Sequence, residues 1–193
     1  MTEPLRILVG DDESIRLMSL RKQLRALGHQ VVAEASNGAE AVALAAATRP
    51  DLAILDIKMP GVDGIEAAQE ITRGRPIPII LLTAYNEAEL VERAAQANIS
   101  AYLMKPVAEE DLLPAITLAL IRFRQFEALR REVSDLREAL EARKVIERAK
   151  GILMRRLNLS EEEAFRRLQR QSQDGNRKLA QVAEAIIVAN QML

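Results

Sequence analysis

The chain of 193 residues contains no cysteine, which excludes disulfides, a thiol nucleophile and thiolate-held zinc. It has one histidine, His29, so a catalytic histidine pair and a His-rich metal site are excluded as well. Aromatic residues make up only 3% of the chain against 49% hydrophobic residues, a balance that fits a soluble, helix-rich protein and argues against disorder. No apolar run approaches the roughly 18 residues that a bilayer span requires. The opening MTEPLRILVGDDE lacks the basic start and apolar stretch of a signal peptide. A cytoplasmic protein without a membrane partner is expected.

The net charge of −1 hides an asymmetry. Residues 1 to 120 carry 11 basic and 17 acidic side chains, net −6, whereas 121 to 193 carry 16 and 11, net +5. Two parts with different partners are implied.

In the first part, short β-branched runs alternate with helical patterns. Leu5 to Gly10, Val31 to Ala35, Leu52 to Leu55, Ile79 to Leu82 and Ala101 to Met104 are apolar enough for strands buried on both faces. Between them, stretches such as Ile15 to Leu27 and Glu87 to Ala97 repeat apolar residues three or four apart. Five strands alternating with helices predict an α/β fold with a parallel sheet covered on both sides.

The strand signal ends near Leu113, and a helical pattern follows for thirty residues or more. Phe126, Leu129, Val133, Leu136 and Leu140 form a heptad-like seam flanked by charges. A short coiled coil and a single amphipathic helix lying along its own domain fit that seam equally. Ser160 with Glu163 reads as a capping box opening another helix. Asp174-Gly175-Asn176 breaks that helix, and Leu179, Val182, Ala183, Ile186 and Ile187 define one more apolar face.

In a sheet of this kind ligands bind beyond the carboxyl ends of the strands. Asp11 and Asp12 follow the first predicted strand, Asp56 ends the third, Thr83 the fourth and Lys105 the fifth, so all five converge on one edge. Taken singly, each acid is as well explained as a helix cap or a loop residue. Together, three carboxylates in a partly buried cleft demand a cation, and oxygen ligands without His or Cys favour a hard ion such as Mg²⁺. Lys105 adds an ammonium and Thr83 a hydroxyl donor, which suits a site that holds phosphoryl oxygens. An aspartate in that setting can accept a phosphoryl group.

Gly10-Asp11-Asp12-Glu13, Asp56-Ile57-Lys58-Met59-Pro60-Gly61 leading to Asp63-Gly64, Thr83-Ala84 and Lys105-Pro106 resemble the receiver domain of two-component response regulators over residues 5 to about 120. The resemblance implies a flavodoxin-like, doubly wound five-stranded sheet. It makes Asp56 the phosphoacceptor, supplied by a sensor histidine kinase. Asp12, Asp56 and the Lys58 carbonyl would bind Mg²⁺ directly and Asp11 through water. Lys105 would pair with the phosphoryl group after a cis Lys105-Pro106 bond. Thr83 and Tyr102 resemble the family's switch pair, although Tyr102 also fits as ordinary core. The face formed by residues 87 to 97, the fifth strand and the helix after Glu110 would respond to the added charge.

The string from Ala142 to Met154, continued through Ser160 to Glu163, Ala164-Phe165, Leu168, Arg170, Ser172, Leu179 and Val182-Ala183, resembles the ANTAR output domain of antitermination regulators. That resemblance implies a small three-helix bundle continuing the coiled coil, and binding of RNA hairpins in nascent transcripts. The expected organisation is a receiver over 1–120, a coiled-coil linker helix over 121–141 and an ANTAR domain over 142–193. The candidate RNA contacts are Arg143, Lys144, Arg148, Lys150, Arg177 and Lys178. Gly151 in mid-helix invites a close approach by RNA or by another helix. The expected protein is a non-enzymatic regulator that dimerises when phosphorylated. The rival reading is a phosphorylation-controlled module whose helical tail binds another protein without nucleic acid. DNA binding is weaker, since no helix-turn-helix spacing is evident.

Overall fold

A computed structural model describes residues 3–84 and 99–191. The helix expected over Glu87 to Ala97 lies outside the described residues. The chain divides after Glu127 into two compact units, each described by itself.

The first unit is a parallel sheet of β1 (Arg6–Gly10), β2 (Gln30–Ala35), β3 (Leu52–Asp56), β4 (Ile79–Thr83) and β5 (Ala101–Met104), in the order β2-β1-β3-β4-β5. Its helices are α1 (Ser14–Ala26), α2 (Gly38–Thr48), α3 (Gly64–Gly74) and the first turns of α4 (Glu109–Leu157). Every residue of β3 and β4 is buried, which explains their unbroken apolar runs.

Within those runs the side chains still alternate between faces. Leu8, Ala53, Leu55, Ile79 and Leu81 pack with Ala41 and Ala45 of α2 and Ile65, Ala68 and Ile71 of α3. Ile7, Val9, Leu52, Ile54, Ile80 and Leu82 pack with Leu17, Leu20 and Leu24 of α1 and Leu112, Ala115 and Ile116 of α4. At about 2 kcal/mol for each buried Leu or Ile, these two layers hold the strand ends in place.

The last of these helices, α4, begins at Glu109, in line with the helix expected after Glu110. Glu109, Glu110 and Asp111 fill its first turn, where negative charge complements the helix dipole. The helix then runs unbroken for 49 residues, through the boundary expected near residue 141. Phe126, Leu129, Val133, Leu136 and Leu140 are all exposed along it.

In the second unit the end of α4 joins α5 (Glu161–Asp174) and α6 (Leu179–Gln191) around Ala149, Leu153, Ala164, Leu168, Val182 and Ala183. The capping box is present: the Ser160 hydroxyl accepts from the Glu163 N–H, and the Glu163 carboxylate accepts from the Ser160 N–H at 2.8 Å. Asn176, with φ of 47°, makes the left-handed turn after α5.

Candidate functional site

Parallel pairing brings the ends of β1, β3, β4 and β5 to one edge. Asp11 continues β1 and its N–H bonds to the Ala35 carbonyl at 3.0 Å, while the Lys105 N–H bonds to the Thr83 carbonyl at 2.9 Å. The Lys105-Pro106 peptide is cis. Behind Asp56, α3 starts so close that a Cβ on Gly64 would lie 1.9 Å from the Asp56 carbonyl oxygen. Only glycine permits that approach, and the Gly64 N–H closes it with a 2.9 Å bond to the Ile57 carbonyl.

Asp56 is only 3% exposed. Its Oδ2 lies 2.6 Å from Lys105 Nζ, and its Oδ1 accepts from the Lys58 N–H at 3.3 Å. The same Nζ is 3.5 Å from Asp11, a fully buried residue whose Oδ1 also accepts from the Glu13 N–H at 2.9 Å. Burial pushes the Asp56 carboxyl above its ordinary pKa, and the Lys105 ammonium opposes that shift.

Carboxylate oxygens of Asp11, Asp12 and Asp56 all lie within 4.8 Å of one another. Three hard oxygen donors without nitrogen or sulfur suit Mg²⁺ in chemistry and in charge. Thr83 is buried at the end of β4 and donates from its hydroxyl to the Ala84 carbonyl at 3.2 Å. Tyr102 is half-buried on β5, and burial raises its pKa. The structure therefore brings together Asp11, Asp12, Asp56, Thr83 and Lys105.

One participant was missed from the sequence. Arg16, in the first turn of α1, forks onto Glu13 through Nε at 2.9 Å and through Nη2. Its Nη1 reaches into the pocket, 3.2 Å from Asp11 Oδ1 and 3.4 Å from Asp56 Oδ2. The three-residue spacing of Glu13 and Arg16 signals their pairing but not the reach of Nη1 to Asp11 and Asp56.

In the second unit Arg143, Lys144, Arg148, Arg177 and Lys178 are exposed, with Lys144 paired to Glu141 at 2.7 Å. Lys150 is a correction. It is 7% exposed, and its ammonium lies 2.9 Å from Glu147, 2.6 Å from Glu161 and 5.9 Å from the centre of the Phe165 ring. Those carboxylates hold its pKa up, so its charge ties α4 to α5 instead of facing outward. At Gly151 the structure bears on one of the two expected reasons, close packing of another helix. A Cβ there would meet only the Arg155 guanidinium at 3.7 Å, so no helix of this unit accounts for the glycine.

Comparison with known proteins follows the same division. Residues 7–117 match the response regulator receiver domain family, and residues 134–187 match the ANTAR domain family. The chain is similar to the transcriptional regulatory protein PdtaR of Mycobacterium tuberculosis, 47% identical over 184 residues that cover 95% of this chain and 90% of that protein. It is 36% identical to the protein PilH of Pseudomonas aeruginosa over 118 residues, 60% of this chain and 97% of PilH. Among solved structures, the signal receiver domain of a modulated diguanylate cyclase from Desulfovibrio desulfuricans G20 matches with a TM-score of 0.60 and 35% identity, covering 64% of this chain and 98% of that one. No helix among the described residues is long and apolar enough to cross a membrane.

Proposed function

The chain belongs to the response regulators, with a receiver domain followed by an ANTAR domain, and from that premise we propose that it accepts a phosphoryl group on Asp56 and binds RNA hairpins to control transcription antitermination. The observation that carries the first half is the buried Asp56 carboxylate held 2.6 Å from the Lys105 ammonium beside two further aspartates.

One Asp56 oxygen attacks the phosphorus of a sensor kinase's phosphohistidine. The P–O bond forms as the P–N bond breaks, the imidazole leaves with the electron pair, and an acyl phosphate results. Asp12, Asp56 and the Lys58 carbonyl would hold Mg²⁺, with Asp11 acting through water. The ion supplies neutralisation of the phosphoryl oxygens. Lys105 adds a second fixed positive charge at the same oxygens. The Thr83 hydroxyl turns from the Ala84 carbonyl to the phosphoryl group, and Tyr102 turns inward behind it. The new charge, about −1.5 to −2 as a free phosphoryl group, biases that pair toward one arrangement.

The exposed Arg143, Lys144, Arg148, Arg177 and Lys178 support an RNA surface in a part of the chain with net charge +5. The exposed seam from Phe126 to Leu140 supports a homodimer that presents two such surfaces. Domain limits of 1–120, 121–141 and 142–193 remain part of this reading.

Labelling with a cognate kinase or a small phosphodonor tests the first half. The wild-type chain should take up label and Asp56→Asn should take up none, so persistent labelling of that variant overturns the site. Gel shift with hairpin transcripts tests the second half, and absence of a shift by either phosphorylation form leaves the protein-binding module as the better reading.

A further inference from the structure

We propose that Arg16 and the divalent cation compete for the carboxylate oxygens of Asp11 and Asp56, with Glu13 as the anchor that keeps Arg16 poised at the pocket. The inference rests on the reading of this pocket as a divalent-cation site.

The guanidinium is planar and presents its donors in a fixed fork. Here Nε and Nη2 are spent on the two Glu13 oxygens, which aims Nη1 inward. Nη1 lies 3.2 and 3.3 Å from the two oxygens of Asp11 and 3.4 Å from Asp56 Oδ2. Asp11 and Asp56 are buried, so their oxygens have no wide choice of partners.

The same carboxylates belong to the group of three whose oxygens converge within 4.8 Å. An oxygen that accepts from Nη1 has less lone-pair density for a metal, and a second cation a few ångströms away repels the first. Charge counting gives the same result. Asp11, Asp12 and Asp56 carry three negative charges, and Lys105 with one divalent cation balances them. Arg16 is then surplus to the pocket, while Glu13 alone satisfies it. Metal entry is therefore coupled to withdrawal of Nη1, and the residue at this position tunes metal affinity.

The test is isothermal titration of the full chain with MgCl₂, together with melting temperatures at zero and saturating Mg²⁺. Arg16→Met keeps the aliphatic stem and removes the charge. It should bind Mg²⁺ about tenfold more tightly, the factor given by roughly 1.4 kcal/mol. Without Mg²⁺ it should melt below the wild type, because three carboxylates then face one lysine, and the gap should close at saturation. Arg16→Lys keeps a charge without the fork and should fall between the two, which preserves the test if the methionine variant folds poorly. Arg21→Met, which breaks a 3.1 Å pair with Glu34 outside the pocket, should leave the affinity unchanged. Equal or weaker Mg²⁺ binding by both Arg16 variants overturns the competition alone. A wild-type chain that takes up no Mg²⁺ overturns the pocket reading and this inference with it.

Discussion

His29, just before β2, is 4% exposed, and its Nδ1 accepts from the Leu5 N–H at 3.3 Å. Its Nε2 is buried with no partner among the described residues. An accepting Nδ1 requires the neutral ring, and a proton there would set two N–H groups face to face. Burial accordingly lowers its pKa below the ordinary value. In the unfolded chain the imidazole takes up its proton near pH 6.5. Between that value and the lower folded one, the unfolded state binds more protons, so stability is lost as pH falls. The slope is limited to about 1.4 kcal/mol per pH unit. His29→Asn, neutral with an acceptor oxygen near the Nδ1 position, should flatten the fall of urea midpoints between pH 7 and pH 5. An unaltered slope would assign the pH dependence to other groups.

Lys150 and Arg148 separate two uses of a cation on one helix. Arg148 is exposed, whereas Lys150 is held by Glu147 and Glu161. Replacing Arg148 with Ala should lower the salt slope of RNA binding by about one ion. Replacing Lys150 with Met should leave that slope alone and lower the melting temperature of the second unit. If both change the slope alike, the inward placement of Lys150 does not persist on RNA.

At the scale of elements, the junction of β3 with α3 carries the geometry of Asp56, the proposed phosphoacceptor. A Cβ on Gly64 would sit 1.9 Å from the Asp56 carbonyl oxygen and 2.8 Å from its carbon, both backbone atoms with nowhere to go. Gly64→Ala should therefore force α3 off the strand, at a cost of about 2 kcal/mol or more, and slow the labelling of Asp56. Gly74→Ala, with nothing within 4 Å of the added carbon, is the control and should change neither. Labelling of Gly64→Ala at the wild-type rate would show that this contact does not position the aspartate.

The same elements show why part of the site could be read in advance. Asp56, Thr83 and Lys105 each close an apolar run, and parallel pairing sends all such ends to one edge. The strand runs and the α5 cap were legible for a similar reason, since each depends on local residues, whereas the doubly wound order of the sheet is non-local and came only from the family resemblance. Arg16 was not legible, because a basic residue in the first turn of a helix looks solvated until the fold brings Asp11 and Asp56 beside it. Lys150 was misread because nothing local distinguishes an inward cation on a basic helix. Its partner Glu161 lies eleven residues away, beyond the turn into α5. The continuity of α4 to Leu157 agrees with the long helical pattern and with a bundle expected to continue it, since no helix breaker lies near residue 141.

At the scale of the molecule, an acidic unit and a basic one are joined by a helix whose apolar seam is open to solvent. Leu129 is 59% and Leu136 64% exposed, a cost that pairing of two copies along the seam removes. In the proposed homodimer, pairing would also change RNA binding without any new contact. Two linked basic surfaces on one transcript bind with an effective concentration that multiplies a weak single-site affinity, on the order of 100-fold or more. Leu129→Glu with Leu136→Glu sets carboxylates opposite each other along the seam, far in sequence from Asp56. The double variant should accept label at the wild-type rate, sediment as a monomer when phosphorylated, and bind a two-hairpin transcript on the order of 100-fold more weakly. Its affinity for a single hairpin should match that of the wild type. Equal affinity for the two-hairpin transcript would mean that one copy suffices and that the seam serves another partner.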